Sequence, residues 1–282
     1  MPANQTAGNF LILMSKEPVK VLTIGGSDSG GAAGIQADLK TWTAMGVYGM
    51  SAITAVTAQN SVTVAAVQFM PAELVAAQMD AVLSDYGAQA VKTGFIGRAE
   101  LVEQIADSLK DYEGGPLVVD PVLVNHKGQS MFPAQVAAVY GGALLPLAAL
   151  VTPNWREAAL LCGTELERPP READVRDAAE KLCAKGAEQA LITGVPGGQG
   201  TIVDWWYDGE LLRPMPQQQI VTENRHGSGD TLSAAICANL ALGLESTVAI
   251  EQAQEFCARA LQGAKAWRLG RGHGPLSHLD VK

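Results

Sequence analysis

Apolar and polar positions along this chain alternate between two rhythms. Short β-branched runs that end in glycine or a polar residue give way to stretches with apolar residues three and four apart. VKVLTIGG (19–26) reads as a buried strand, and GIQADLKTWTAMG (34–46), with Ile35, Leu39 and Trp42 at helical spacing, as the helix behind it. SAITAVTA (51–58) is strand-like, while PAELVAAQMDAVLSDYG (71–87) opens with Pro and closes with Gly, as helices do. The pattern continues with a strand at 90–94, a helix at 98–112, a strand at 116–124 and a helix near 133–141. A strand at 150–154, helices from 155 and at 171–185, and a strand at 189–194 follow. Residues 201–221 read instead as a hairpin with Asp208-Gly209 at its tip, and helices at about 229–243 and 246–268 finish the chain.

Strand–helix alternation of this kind implies a mostly parallel sheet with helices on both faces. No linker-like Pro/Ser/Gly tract interrupts it, so residues 19–282 are expected to form one domain behind a disordered extension, residues 1–18. Ligands of such sheets sit at the carboxyl ends of the strands. Polar residues collect there: Gly25-Gly26-Ser27-Asp28, Gln59-Asn60, Lys92-Thr93-Gly94, Asp120, Asn154 and Thr193-Gly194. Six strand ends in succession predict one shared crevice.

Composition removes several function classes. A formal charge of −9 and a pI near 4.9 argue against broad nucleic-acid or anionic-membrane binding. The four cysteines show no CxxC pair, and buried free thiols in a reducing compartment are the expectation. The apolar patch Phe10 to Met14 lacks a basic leader and is too short for a span. A soluble, cytoplasmic protein is therefore expected. GxxxxGK[ST] is absent, which argues against a Walker-type NTPase. GGSDSGGAAG (25–34) contains no GxGxxG, and no acid ends the second strand, so a Rossmann cofactor site is not expected; close backbone approach to a small ligand is.

The candidate chemistry starts at RHGSGDTLSAA (225–235). A Gly-x-Gly turn entering a helix presents backbone N–H groups to an anion, and Asp230 stands where it could take a proton from an attacking hydroxyl. An N-capping Asp after a flexible turn is the competing reading. Asp38 borders the buried stripe of its helix and needs a partner, either a ligand amino group or ring nitrogen or a core hydrogen bond. Asn154 and Glu157 have capping-box spacing, yet with Asp120 from the neighbouring strand end Glu157 could hold Mg²⁺ through waters. The tail GRGHGPLSHL (270–279) reads as a structural loop over the sheet edge.

Together these stretches resemble the hydroxymethylpyrimidine kinase/phosphomethylpyrimidine kinase family, within the ribokinase-like superfamily. The resemblance is carried by LTIGGSDSGGAAGIQADLKTWTAMGVYGMSAITAVTAQNS (22–61), VVDPVLV (118–124), VTPNWREAALL (151–161), HGSGDTLSAAI (226–236) and GRGHGPLSHL (270–279). It implies a ribokinase-like three-layer α/β/α sandwich, commonly a homodimer. It also implies ATP- and Mg²⁺-dependent phosphorylation of the hydroxymethyl group of a small heteroaromatic substrate, 4-amino-5-hydroxymethyl-2-methylpyrimidine, and then of its monophosphate, in thiamine biosynthesis. By that resemblance Gly26, Asp38, Gln59, Phe95 and Val122 lie near the pyrimidine. Asn154, Glu157, Thr193 and Gly194 lie near ATP, and Asp120 and Glu157 near the metal. Gly227, Ser228 and Gly229 form the transfer loop, with Asp230 as the proton acceptor.

Three residues depart from the family pattern: Asp230 for the usual Cys, Thr193 for a common Lys, and Phe95 for a frequent Met. Asp230 matches the wider superfamily, which leaves a pyridoxal/pyridoxine kinase as the alternative. Thr193 motivates a third reading, a binding homologue without transfer.

Overall fold

The computed structural model describes residues 17–112, 114–125, 127–164 and 168–279; most of the expected N-terminal extension, residues 1–16, lies outside them. The apolar runs become nine strands of one sheet, in the order β3-β2-β1-β4-β5-β6-β7-β8-β9. These are β1 (Lys20–Asp28), β2 (Tyr48–Gln59), β3 (Val64–Phe69), β4 (Ala90–Thr93), β5 (Leu117–Val119), β6 (Leu150–Val151), β7 (Ala190–Gly198), β8 (Thr201–Tyr207) and β9 (Leu212–Gln218). β2, β1, β4, β5, β6 and β7 run parallel; β3, β8 and β9 add antiparallel margins.

The pleat sends alternate residues to opposite faces, and each face has its own core. Leu22, Ile24, Val91, Val119, Val151 and Ile192 point one way. They pack against α2 (Ala72–Asp85), α3 (Ala99–Leu109), the short α4 (Ala134–Val139), α5 (Trp155–Leu161) and α6 (Glu172–Ala184). Val21, Ala90, Val118, Leu150 and Leu191 point the other way, towards α1 (Gly34–Met45), α7 (Ser228–Ala241) and α8 (Ser246–Ala264). The expected three-layer ribokinase-like α/β/α sandwich is what forms. α7 buries Ala234, Ala235, Ile236, Cys237 and Ala238 in one run. Such small side chains let it press against the sheet, α1 and α8 together.

Three differences from the sequence reading have simple causes. β3 is not foreseen by periodicity: Val64 to Gln68 are exposed, so this edge strand carries no buried-face signal. The expected helix near 133–141 is α4 followed by a π-turn, Tyr140–Leu144, that contains Gly141 and Gly142. Thr193 and Gly194, expected at the carboxyl end of their strand, lie in the middle of β7, which runs on to Gly198, at a break in its register with β8. The hairpin forms where expected, with Asp208-Gly209 between β8 and β9. All four cysteines are free; Cys237 and Cys257 are buried as expected, whereas Cys162, the C-cap of α5, and Cys183 near the end of α6 are only partly buried. No helix among the described residues is long and apolar enough to cross a membrane.

Trp42 ties two helices of one layer together, α1 and α7. It is fully buried, and its Nε1 donates to the Ala234 carbonyl of α7 at 2.8 Å. Trp42→Ala should cost about 3–5 kcal/mol in urea unfolding, and a loss below about 1 kcal/mol would contradict this role.

Candidate active site

The chain leaves β1 for β2 on one side of it and later returns to β4 on the other, so the strand order reverses between β1 and β4. Crevices open at such points. Thr23 of β1 and Lys92 of β4 are register partners there, on the face covered by α1 and α7. Lys92 is fully buried. Its Nζ lies 2.9 and 3.0 Å from the two carboxylate oxygens of Asp38, 3.7 Å from Asp230 Oδ1 and 3.9 Å from Asp120 Oδ2. Thr23 Oγ1 donates to Asp38 Oδ2 at 2.6 Å, and Ser233 Oγ donates to Asp120 Oδ2 at 2.7 Å. One ammonium is thus shared by three acids.

Burial pushes the Asp38 carboxyl up to about 7, against the pull of Lys92. The same two influences leave Asp120 at about 6. For Lys92 burial favours the neutral amine, but Asp38, Asp230 and Asp120 outweigh it and hold the ammonium above the ordinary lysine range. The sequence reading assigns Lys92 no role of its own and counts it among the polar residues at the carboxyl end of its strand. The available signal is its place in the apolar run AVKTG, since a lysine inside a buried strand needs acid partners. Asp38, expected at the border of the core, is wholly inside it, and its oxygens are engaged by Lys92 and Thr23. A core partner of the kind the sequence reading asks for is thus present.

The turn before α7 is shaped by a close approach. Gly227 has φ +87°, and a Cβ there would sit 1.9 Å from the Ala32 carbonyl oxygen. Glycine at 227 therefore lets this loop lie against the first glycine-rich turn. That turn is closed internally: the Asp28 carboxylate accepts from the N–H groups of Gly30, Ala32 and Ala33 at 2.7–2.9 Å. Asp28, rather than a ligand, satisfies these amides. The Ser228 N–H turns back to the Arg225 carbonyl at 3.3 Å. The amides of Gly229 and Asp230 belong to the first turn of α7 and have no acceptor within their own helix. Beside Gly229 a Cβ would meet nothing within 4 Å, so this end of the helix faces open space. Asp230 is partly exposed there, with 15% of its side chain accessible.

On the β1–β2 side, Gly26 makes room for Phe95: a Cβ at 26 would lie 2.8 Å from Phe95 Cδ1. Phe95 stacks on Phe69, with centroids 6.0 Å apart, and meets Phe132 at 5.5 Å, which gives an aromatic wall. Gln59 Nε2 and His226 Nε2 are 2.8 Å apart, joining the end of β2 to the loop before α7. Val122 lies in the loop after Asp120, half-buried.

On the β5–β7 side, Asn154 caps α5 and accepts from Arg156 and Glu157, while Glu157 accepts from the Asn154 N–H; the capping box is present. Glu157 does more. Its Oε1 also accepts from the N–H groups of Leu123 and Val124, at 3.0 and 3.4 Å. Burial, and next the Asp120 charge, push its carboxyl up to about 8 against those amides. Asn154 bridges to Thr193 of β7, and the Gly194 N–H donates to Asp204 Oδ1 at 2.8 Å. No group of three or more His, Cys, Asp or Glu residues able to hold a metal occurs among the described residues.

The tail closes over the crevice. Arg271 and Gly272 donate their N–H groups to Ser61 Oγ, beyond β2, and Thr231 Oγ1 meets His278 Nε2 at 3.0 Å.

Residues 28–277 match the family model described as phosphomethylpyrimidine kinase. The chain is 45% identical over 260 residues to a hydroxymethylpyrimidine/phosphomethylpyrimidine kinase of Rhizobium meliloti, covering 92% of this chain and 96% of that one. The ADP complex of Bacillus subtilis pyridoxal kinase superposes with a TM-score of 0.84 at 35% identity, covering 93% of this chain and 98% of that one. A phosphomethylpyrimidine kinase from Clostridium difficile gives 0.76 at 35% identity, covering 86% and 99%.

The buried tail makes a pH test available. Burial, and then the Lys40 charge, push the His278 imidazole down to about 4. Its folded value lies below the unfolded one, so the stability of the neutral form is complete above about pH 6.5 and is lost as pH falls towards 4. Relative to His278→Gln, the wild type should lose roughly 1 kcal/mol between about pH 7.5 and 5.5 in urea titrations. Parallel pH curves for the two proteins would contradict it.

Proposed function

The chain belongs to the phosphomethylpyrimidine kinase family, and from that premise we propose that it phosphorylates 4-amino-5-hydroxymethyl-2-methylpyrimidine with ATP, and then the monophosphate, in thiamine biosynthesis. The observation that carries the proposal is Asp230: a carboxylate in the first turn of α7, beside a buried ammonium, open to the crevice. Residues 19–282 would act as one kinase domain, as a cytoplasmic homodimer. Four free cysteines and the exposed apolar edge at Val62, Val64 and Val67 support that setting.

Phosphoryl transfer passes through a loose transition state, so positioning and charge stabilisation are the main tasks. The hydroxymethyl oxygen forms a bond to the γ-phosphorus as the bond from that phosphorus to the β,γ-bridging oxygen breaks; ADP leaves with the electron pair. Asp230 accepts the hydroxyl proton as the new bond forms. The Gly229 and Asp230 amides, at the positive end of α7, face the charge on the transferred group. Gly26 and Phe95 offer the ring a flat apolar wall, with Val122 and the Gln59 amide at its margins. Asn154, Thr193 and Gly194 lie on the nucleotide side; the Gly194 amide is already given to Asp204, so backbone shape is its contribution.

Mg²⁺ takes one or two carboxylates and keeps several waters, with substrate phosphates completing its shell. Asp120 and Glu157 fit that modest share: both are buried acids, one just beyond β5 and the other in the first turn of α5, and the Asp120 charge acts on Glu157. The oxygens of Glu157 are occupied by backbone amides, which suits contact through water. When bound, the ion would neutralise charge on the β- and γ-phosphates.

A pyridoxal kinase is the second reading, favoured by Asp230 and by the likeness to the Bacillus subtilis enzyme. Parallel assays with ATP–Mg²⁺ and each alcohol separate the two. Higher kcat/KM with the hydroxymethylpyrimidine is expected; much faster turnover of pyridoxal would contradict it. Asp230→Asn should lower kcat by about 10²–10⁴ with little change in KM, and near-normal turnover would remove Asp230 from the proton-accepting role.

A further inference from the structure

A buried cluster of one ammonium and three acids is a poor device for stability. Burying the charges costs more than their attraction returns unless the geometry is excellent, and apolar replacements of similar volume are often neutral or stabilising. Lys92 therefore calls for another explanation. Its nearest partner is Asp38, which is 1% exposed and fixed in turn by Thr23 of β1. Asp38 anchors the ammonium from one side. The two remaining acids, Asp230 and Asp120, stand at 3.7 and 3.9 Å, within ion-pair reach but beyond direct hydrogen-bond length. They come from separate elements, α7 and the end of β5, and meet in front of the same charge. Gly94, two residues beyond Lys92, leaves that space open: a Cβ there would lie 3.3 Å from Lys92 Nζ and 4.0 Å from Asp230 Oδ1.

We propose that Lys92 is a positioning residue for phosphoryl transfer, mounted on Asp38 and Thr23, whose ammonium turns Asp230 inward and keeps its carboxylate beside Asp120 despite their like charges. Without that ammonium, two acids facing each other in a partly closed crevice would repel, and Asp230 has the open side of the crevice to turn into. Asp38 then has a role with no ligand contact: it holds the lysine. The assignment rests on the phosphotransfer reading above.

Lys92→Met alone would strand buried acids and could fail for structural reasons. The informative comparison is Asp38→Asn against the double variant Lys92→Met/Asp38→Asn. The second change removes the ammonium after one acid charge has already gone, and the amide that replaces the Asp38 carboxylate still offers an oxygen to Thr23. Relative to Asp38→Asn, the double variant should melt within a few degrees and show kcat lower by about 100-fold, the scale seen when one preorganised charge-stabilising group is removed. KM for alcohol and for ATP should stay within about threefold. Equal kcat in the two proteins, or a loss confined to KM, would overturn the assignment. If the double variant does not fold, Lys92→Gln/Asp38→Asn keeps a polar group in place and carries the same expectation. Each protein is assayed with both the hydroxymethylpyrimidine and pyridoxal. A wrong substrate thus shows in the wild type alone, while a wrong role for Lys92 shows in the variant pair. A wild type inactive on both alcohols would overturn the phosphotransfer reading and this assignment with it.

Discussion

The ion pair between Lys92 and Asp38 is the constraint on which the site depends. It joins β4 to α1 across the β1–β4 reversal, at a depth where neither group can be left without the other. Three elements are fixed by it: β1, through Thr23; α7, through Asp230; and the end of β5, through Asp120. The sheet supplies the alternation that sends Thr23, Lys92 and Asp120 to one face. The small residues of α7 then bring Asp230 and Ser233 down onto that face.

Close backbone approaches do for the rim what the ion pair does for the floor. The loop before α7 touches the first glycine-rich turn through Gly227, and the aromatic wall touches β1 through Gly26. In neither place is there room for a Cβ beyond the backbone. Asp28 holds one turn by its own amides, and Ser61 holds the tail. The edges of the crevice are thus tied to one another by segments far apart in the chain, such as Gln59 with His226. At this end of α7, Asp230 and the amides of Gly229 and Asp230 face open space.

Much of the fold was legible because strand–helix alternation repeats with clear punctuation, and the strand-end polar residues pointed to the edge of the sheet where Lys92 meets its three acids. Asp120, Asp230 and the Asn154–Glu157 pair could be singled out by residue type and place alone. The missing parts share a physical cause: their meaning lies in tertiary contacts. Lys92 resembles ordinary strand-end polarity until the three acids around its ammonium are seen. Asp38 could serve ligand or core, and its core partner, Lys92, comes from a strand more than fifty residues away. β3 buries almost nothing, so no periodic signal marks it. Glu157 meets its capping expectation, but its two further bonds, to Leu123 and Val124, link segments more than thirty residues apart and no local pattern announces them.

The most direct measurement is a crystal structure with a non-hydrolysable ATP analogue, Mg²⁺ and the hydroxymethylpyrimidine bound together. A carboxylate oxygen of Asp230 is expected about 3 Å from the hydroxymethyl oxygen, with Lys92 Nζ still within about 4 Å of Asp230 and Asp38 still clear of the ligand. An alcohol oxygen lying beyond about 5 Å from Asp230, or a ligand hydrogen-bonded to Asp38 in place of Lys92, would contradict it.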